Sequence, residues 1–230
     1  MTDQLFQLLK TSFSPSQAYL LASLTAVAML MILCTAQTGF AAPQNIKELR
    51  RTANKIYQDG NYQQALELYL KLLDRKDGEP GFVGNDLNMA INCLNNVNRQ
   101  NQTDELREKT IKTHKDNLHL LWAVAQSYLH ANHSGYLIAG KFERGSHRGG
   151  GKYANAMERD RVRALQLMVR GMKVAEIEKN KGRVAGFYQS FAGMWLVNRY
   201  NNNASWELQA LTNLDTLPDY EEGYPYNQGE

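Results

Sequence analysis

The chain has 230 residues, 43% hydrophobic and 21% charged, with a formal net charge of +3. That balance excludes collagen-like, mucin-like and wholly disordered classes, and the length allows one large domain or two small ones. Two cysteines, neither in a C-x-x-C pair, exclude a disulfide framework and a zinc ribbon or finger.

The first predicted element is an apolar N-terminal helix. Residues 11–46 contain no charged side chain, and residues 18–34 form an almost unbroken apolar run. Small residues follow at Thr35, Ala36, Gly39, Ala41 and Ala42, then Pro43. This pattern predicts that residues 1–42 are a cleaved signal peptide or a membrane anchor, which would place the body in the periplasm or cell envelope. A buried core helix is the third reading. The run sits at the short end for a span, about 17 residues or more. Lys47, Arg50, Arg51 and Lys55 follow it closely and only Lys10 precedes it, so charge alone does not fix orientation. Cys34 is preceded by Leu33 rather than a small residue, which disfavours a lipoprotein. Cleavage after Ala41 or Ala42 would leave Cys93 alone.

From Pro43 onward the apolar residues recur at helical spacing, and the expected fold class is all-α. Helices are predicted over 46–59 and 62–75, broken at Gly60-Asn61 and ended by the Asp77–Pro80–Gly81 stretch. The segment ANKIYQDGNYQQALELYLKLLDRKDGEP resembles a tetratricopeptide repeat through Ala53, Gly60, Tyr62, Ala65 and Tyr69. The two alanines let antiparallel helices approach, the glycine turns the chain and the tyrosines fill the space between. Leu49 stands where that repeat carries a large aromatic residue. Further helices are expected over 85–98, 103–113 and 118–131. One repeat cannot bury its own face, so residues 43–135 are read as a short α-solenoid of tetratricopeptide-like hairpins. A chance match inside another helical bundle is the competing reading.

Residues 136–154 read as a glycine-rich basic loop. Its Gly149-Gly150-Gly151-Lys152 end lacks phosphate-loop spacing, because Ser146 and Tyr153 occupy the decisive positions. A helical hairpin is predicted over 155–200, with Val162, Leu165, Met168, Met172 and Ala175 on one stripe and Phe187, Phe191, Met194 and Trp195 on the other. Such stripes are core rather than a cofactor site. An acidic segment, 201–230, closes the chain.

Charge is unevenly placed. Residues 141–173 hold nine Lys/Arg against three Asp/Glu, while 201–230 hold six Asp/Glu and no Lys/Arg. Lys141, Arg144, His147, Arg148, Lys152, Arg159, Arg161 and Arg163 are the candidate structural or interaction residues. The acidic tail, or another acidic segment, is expected to pack near Arg159, Arg161 and Arg163, which argues against nucleic-acid binding. His130 and His133, even with His147, do not form a metal motif, and no H-E-x-x-H, G-x-S-x-G or catalytic cysteine signature is present. No catalytic residue, metal or cofactor is therefore expected, and a hydrolase centred on the glycine-rich loop is the weakest alternative.

The blocks NLHLLWAVAQSY, GKFERGSHRGGGKY, ERDRVRALQLM, FYQSFAGMW and WELQALTNLDTLPDYEEGY, in that order, resemble the N-terminal region of bacterial alpha-2-macroglobulin-like proteins. The resemblance covers about residues 117–224. It implies an exported, envelope-located protease trap, in which bait cleavage closes a shell and a C-x-E-Q thioester captures the protease. Cys93 is followed by Leu94-Asn95-Asn96, so no trapping residue carries over. The implied role is a non-enzymatic N-terminal module that anchors, orients or contacts partners: the rest of a larger chain, another protein, or the target protease. The alternative is a free-standing exported scaffold that binds a protein or peptide.

Overall fold

The computed structural model describes residues 45–196 and 213–222. The chain falls into two units, residues 1–44 and 45–230. The first, with the predicted apolar helix and cleavage region, lies outside the described residues. Among the described residues no helix is long and apolar enough to cross a membrane.

The second unit is mostly helical. Helix α1 (Ile46–Gln58) starts at Asn45, whose side chain accepts a hydrogen bond from the Lys47 amide at 3.0 Å. It ends at Gly60, where φ is +80°. The Gly60 amide donates to Tyr57 O and the Asn61 amide to Ile56 O, satisfying two carbonyls of the last turn. Helix α2 (Tyr62–Asp74) then folds back. Ala53 and Ala65 are fully buried between the two helices. Tyr69 is buried as well, and its hydroxyl donates to Asn54 Oδ1 at 2.6 Å. Burial pushes the Tyr69 hydroxyl up to about 12. Tyr62 is half-buried and meets the Tyr57 ring edge-on, centroids 5.2 Å apart.

Helix α3 (Pro80–Asn96) begins earlier than the expected 85–98. The Pro-Gly pair read as a terminator is instead a start, because a first-turn amide has no intrahelical partner and proline loses nothing by lacking it. Arg50 of α1 holds Asp86 of α3 at 2.8–3.1 Å and lies over the Phe82 ring. A 3₁₀ turn (Gln100–Gln102) leads into α4 (Thr103–Thr113). Helix α5 (Leu118–Leu129) is capped by Asn117, whose side chain accepts from the Leu120 amide. At Gly84, α3 passes so close to α5 that an added Cβ would sit 2.6 Å from Ala123 Cβ. Leu87, Leu120, Leu121, Val124, Leu165 and Met168 are among the fully buried side chains of the main core.

The glycine-rich region departs from expectation. It is a sheet rather than a loop, so the described fold is mostly helical with a small sheet added. Strands β1 (Ser134–Ile138), β2 (Lys141–Arg144) and β3 (Lys152–Asn155) pair antiparallel, and β4 (Glu221–Glu222) joins β3. The sheet order is β2-β1-β3-β4. Ala139 and Gly140 both have positive φ, 49° and 80°, the geometry of a two-residue hairpin turn whose twist matches the strands. Gly135 has no room for a side chain: a Cβ there would meet the Phe142 ring at 2.6 Å. Phe142, Ala154 and Ala156 form a second small core, against which Leu137 and Tyr220 pack.

Helices α6 (Met157–Ala175) and α7 (Lys181–Leu196) follow. They occupy the region predicted as 155–200, of which 197–200 fall outside the described residues. Phe187 is fully buried and meets Trp122 of α5 edge-on at 6.3 Å.

A buried ion network and a polar cleft

Arg144, at the end of β2, turns into the helical body. Its guanidinium spans three acceptors: Asp160 of α6 at 2.8 and 2.9 Å, Asp104 of α4 at 2.9–3.2 Å, and Asn132 O at 2.6 Å. Burial alone would lower its pKa, but the hydrogen bond and charge of Asp160, with those of Asp104, hold it above the ordinary arginine value. A planar guanidinium suits this place because its fork donates to two carboxylates at once.

Two neighbours extend the network. His133 Nδ1 lies 2.7 Å from Asp160 Oδ2. Arg107 of α4, fully buried, donates to Asp104, to Ser127 Oγ and to Ser127 O, and lies over the Tyr128 ring. Beside them, Glu108 accepts from Arg163 at 2.7 and 2.9 Å and from the Tyr128 hydroxyl at 2.9 Å. Burial pushes Glu108 up, yet the Arg163 hydrogen bond and charge outweigh it and leave the carboxyl below its usual range. Burial, then the Glu108 charge, moves the Tyr128 hydroxyl well above the ordinary range.

The network underlies a cleft of about 480 Å³ between α3 and α5. Its lining includes Asn88, Asn92 and Asn95 of α3, Gln126 and His130 of α5, and Arg107 and Arg144 at the ion network.

The other sequence candidates are scattered. Lys141 and Arg148 are exposed. Lys152 opens β3 and pairs with Glu222 at 3.3 Å. A phosphate-loop lysine would sit at the start of a helix, so this placement removes that reading. His147 is half-buried, with Nδ1 4.0 Å from Glu143. Arg159 donates to Pro218 O at 2.5 Å and lies over Tyr220, both in the returning 213–222 segment. Arg161 pairs with Glu158 of its own helix, and Arg163 with Glu108. The tail therefore engages Arg159, while internal carboxylates engage the other two.

His130 and His133 do not converge on a common ion: His130 Nδ1 donates to Gln126 O and His133 faces Asp160. Among the described residues no group of three His, Cys, Asp or Glu could hold a metal. Cys93 is a buried free thiol, pushed up to about 11 by burial.

Sequence reasoning missed Asp104, Arg107, Asp160 and the asparagine row. The row carries a readable signal, since 88, 92 and 95 share one helical face. Asp104 and Asp160 carry none, because they become partners only through tertiary packing. The chain matches no family model, no curated protein and no solved structure.

Proposed function

We propose that this chain is a non-enzymatic helical docking module of an exported alpha-2-macroglobulin-like protease inhibitor, which it anchors, orients or presents to partners. One observation supports this reading above the rest. The two more specific blocks of the resemblance, GKFERGSHRGGGKY and LPDYEEGY, are distant in sequence yet meet in one sheet. Phe142 of the first stacks on Tyr220 of the second, ring centroids 4.4 Å apart, and β3 pairs with β4. The resemblance thus follows a folded unit rather than scattered stretches. Within it Arg144 pairs with Asp160 and Lys152 with Glu222, as suits a rigid support. Reading the gene past Glu230 tests it. A frame, or an adjacent gene, encoding macroglobulin β-sandwich domains with C-x-E-Q supports the proposal, and a stop codon with no such neighbour opposes it.

A second reading is a free-standing exported scaffold of tetratricopeptide type. It is favoured by the α1–α2 hairpin, with its buried Ala53, Ala65 and Tyr69, and by the cleft between α3 and α5. Both readings make the chain a binder rather than a catalyst, and they differ in whether a macroglobulin-like partner exists.

A further inference from the structure

We infer that the link between α6 and α7 docks on the surface of an anionic lipid bilayer. Ile177 dips into the headgroup layer, and Lys173, Lys179 and Lys181 rest on lipid phosphates. The inference stands apart from any macroglobulin-like partner.

The topology makes this link a tip. Helix α6 runs antiparallel to α5: His133, just past the end of α5, meets Asp160, and a Cβ at Gly171 would lie 3.5 Å from Leu118, the first residue of α5. The four residues of α6 beyond Gly171 therefore carry it about 6 Å past the start of α5 before the chain turns. The ends of the other helices gather at its base. Arg170 donates to Lys115 O in the α4–α5 link, and Asn117 to Pro80 O at the start of α3. His114 Nε2 lies 2.8 Å from Leu73 O near the end of α2, and Lys47 pairs with Glu79. The body thus begins at this same end, where the uncharged stretch that precedes Lys47 joins it.

Apolar exposure concentrates here. Ile177 is 79% exposed, against 37–41% for the other large exposed apolar side chains. Of those, Met172 lies in the last turn of α6 and Phe82 in the first turn of α3, both at this end. An aliphatic side chain held out in water forgoes the stabilisation of burial, which a headgroup layer supplies.

The surrounding charge selects an anionic surface. Residues 170–183 hold five Lys/Arg against two Glu, and Glu178 is taken up by Arg183 at 3.0 Å. Lys173, Lys179 and Lys181 flank Ile177 and are exposed. Their long stems let the ammonium groups reach phosphates while the carbon chains lie against apolar surface. The 74–80 link has three carboxylates, but Asp74, Asp77 and Glu79 pair with Lys109, Arg75 and Lys47. The exposed Glu48, Asp116 and Glu176 remain, and the tip lysines together with the exposed Lys76, Lys112 and Lys115 outnumber them.

Shape separates a bilayer from other anionic partners. A stable protein interface needs about 800 Å² on each side, a broad face rather than a tip. Residues 170–183 contain no aromatic ring, so a nucleic-acid base finds no stacking platform. A bilayer receives a narrow apolar tip and meets its basic rim with phosphates.

The test reads hydrogen–deuterium exchange of the full chain reconstituted in vesicles of phosphatidylcholine alone or equimolar with phosphatidylglycerol. Exchange across residues 173–182 should slow several-fold on the anionic vesicles only, and recover at high salt. Lys173→Gln, Lys179→Gln and Lys181→Gln should each lower the docked-to-undocked ratio about fivefold, and Ile177→Asp should remove the protection. These side chains are exposed, so the variants should keep the wild-type melting midpoint. The reading is local to the tip, so insertion of the apolar N-terminal stretch does not imitate it. The inference is overturned if 173–182 exchanges equally on both vesicles, or if protection survives the triple lysine-to-glutamine variant. It is also overturned if soluble polyglutamate or a DNA oligonucleotide slows exchange there as much as the anionic vesicles do. A protected tip in a chain whose gene has no macroglobulin-like neighbour would leave this inference standing and remove the proposed function. An unprotected tip beside such a neighbour would do the opposite.

Discussion

Arg144 and Asp160 meet in a two-point contact, Nη1 to Oδ2 at 2.8 Å and Nη2 to Oδ1 at 2.9 Å, with each side chain only 4% exposed. This contact fastens β2 to α6, and through Asp104 to α4. Replacing Arg144 by Met leaves the buried Asp160 with only His133 beside it, while Asp104 keeps Arg107. The expected loss is about 3–5 kcal/mol of unfolding free energy, read by urea titration. Arg144→Lys should restore little of it, because an ammonium cannot span both carboxylates. Adding Asp160→Asn to Arg144→Met should cost less than the sum of the single changes, since the two share one network.

Two glycines of α3 should respond with opposite sign. A Cβ at Gly81 meets nothing within 4 Å, so Gly81→Ala should stabilise by about 0.4–1 kcal/mol through the unfolded chain. At Gly84 the same atom collides with Ala123 of α5 and approaches His119. Gly84→Ala should therefore destabilise by about 1–3 kcal/mol, and the two melting midpoints should move apart.

Glu108 sets an acid dependence. Its folded carboxyl titrates below the unfolded value, against the pull of burial, because Arg163 holds it. The stabilisation is complete above the unfolded glutamate pKa of about 4.3 and is lost as pH falls through the lower folded value. Glu108→Gln should lower stability at neutral pH and flatten that acid limb, as measured by denaturant midpoints across pH.

Tyr220 ties the returning segment down. It stacks on Phe142 at 4.4 Å with Arg159 4.6 Å from its ring centroid. Tyr220→Ala should cost about 1–3 kcal/mol. It should also speed amide exchange at Glu221 and Glu222 relative to α1, which the mutation does not touch.

The helices were legible where apolar spacing and capping agree, as at Ala53, Gly60 and Ala65. Helix α3 was misplaced because Pro80-Gly81 punctuates a chain equally well as an end or a beginning. The sheet was not legible. Five glycines between 140 and 151 suggested a loop, whereas Gly135 and Gly140 each answer a specific strand requirement: the close approach of Phe142 and a left-handed turn. Arg144 read as one cation of a basic stretch. Its burial depends on Asp104 and Asp160, which lie 40 and 16 residues away, and no local pattern pairs them.

The proposed function has this chain dock to a macroglobulin-like trap. Amine cross-linking in the source cells, read by mass spectrometry at the exposed Lys141 and Lys152, tests it most directly. Docking should yield cross-links joining these lysines to a polypeptide that carries macroglobulin β-sandwich domains and a C-x-E-Q motif. Cross-links that join them only to polypeptides lacking both would contradict it.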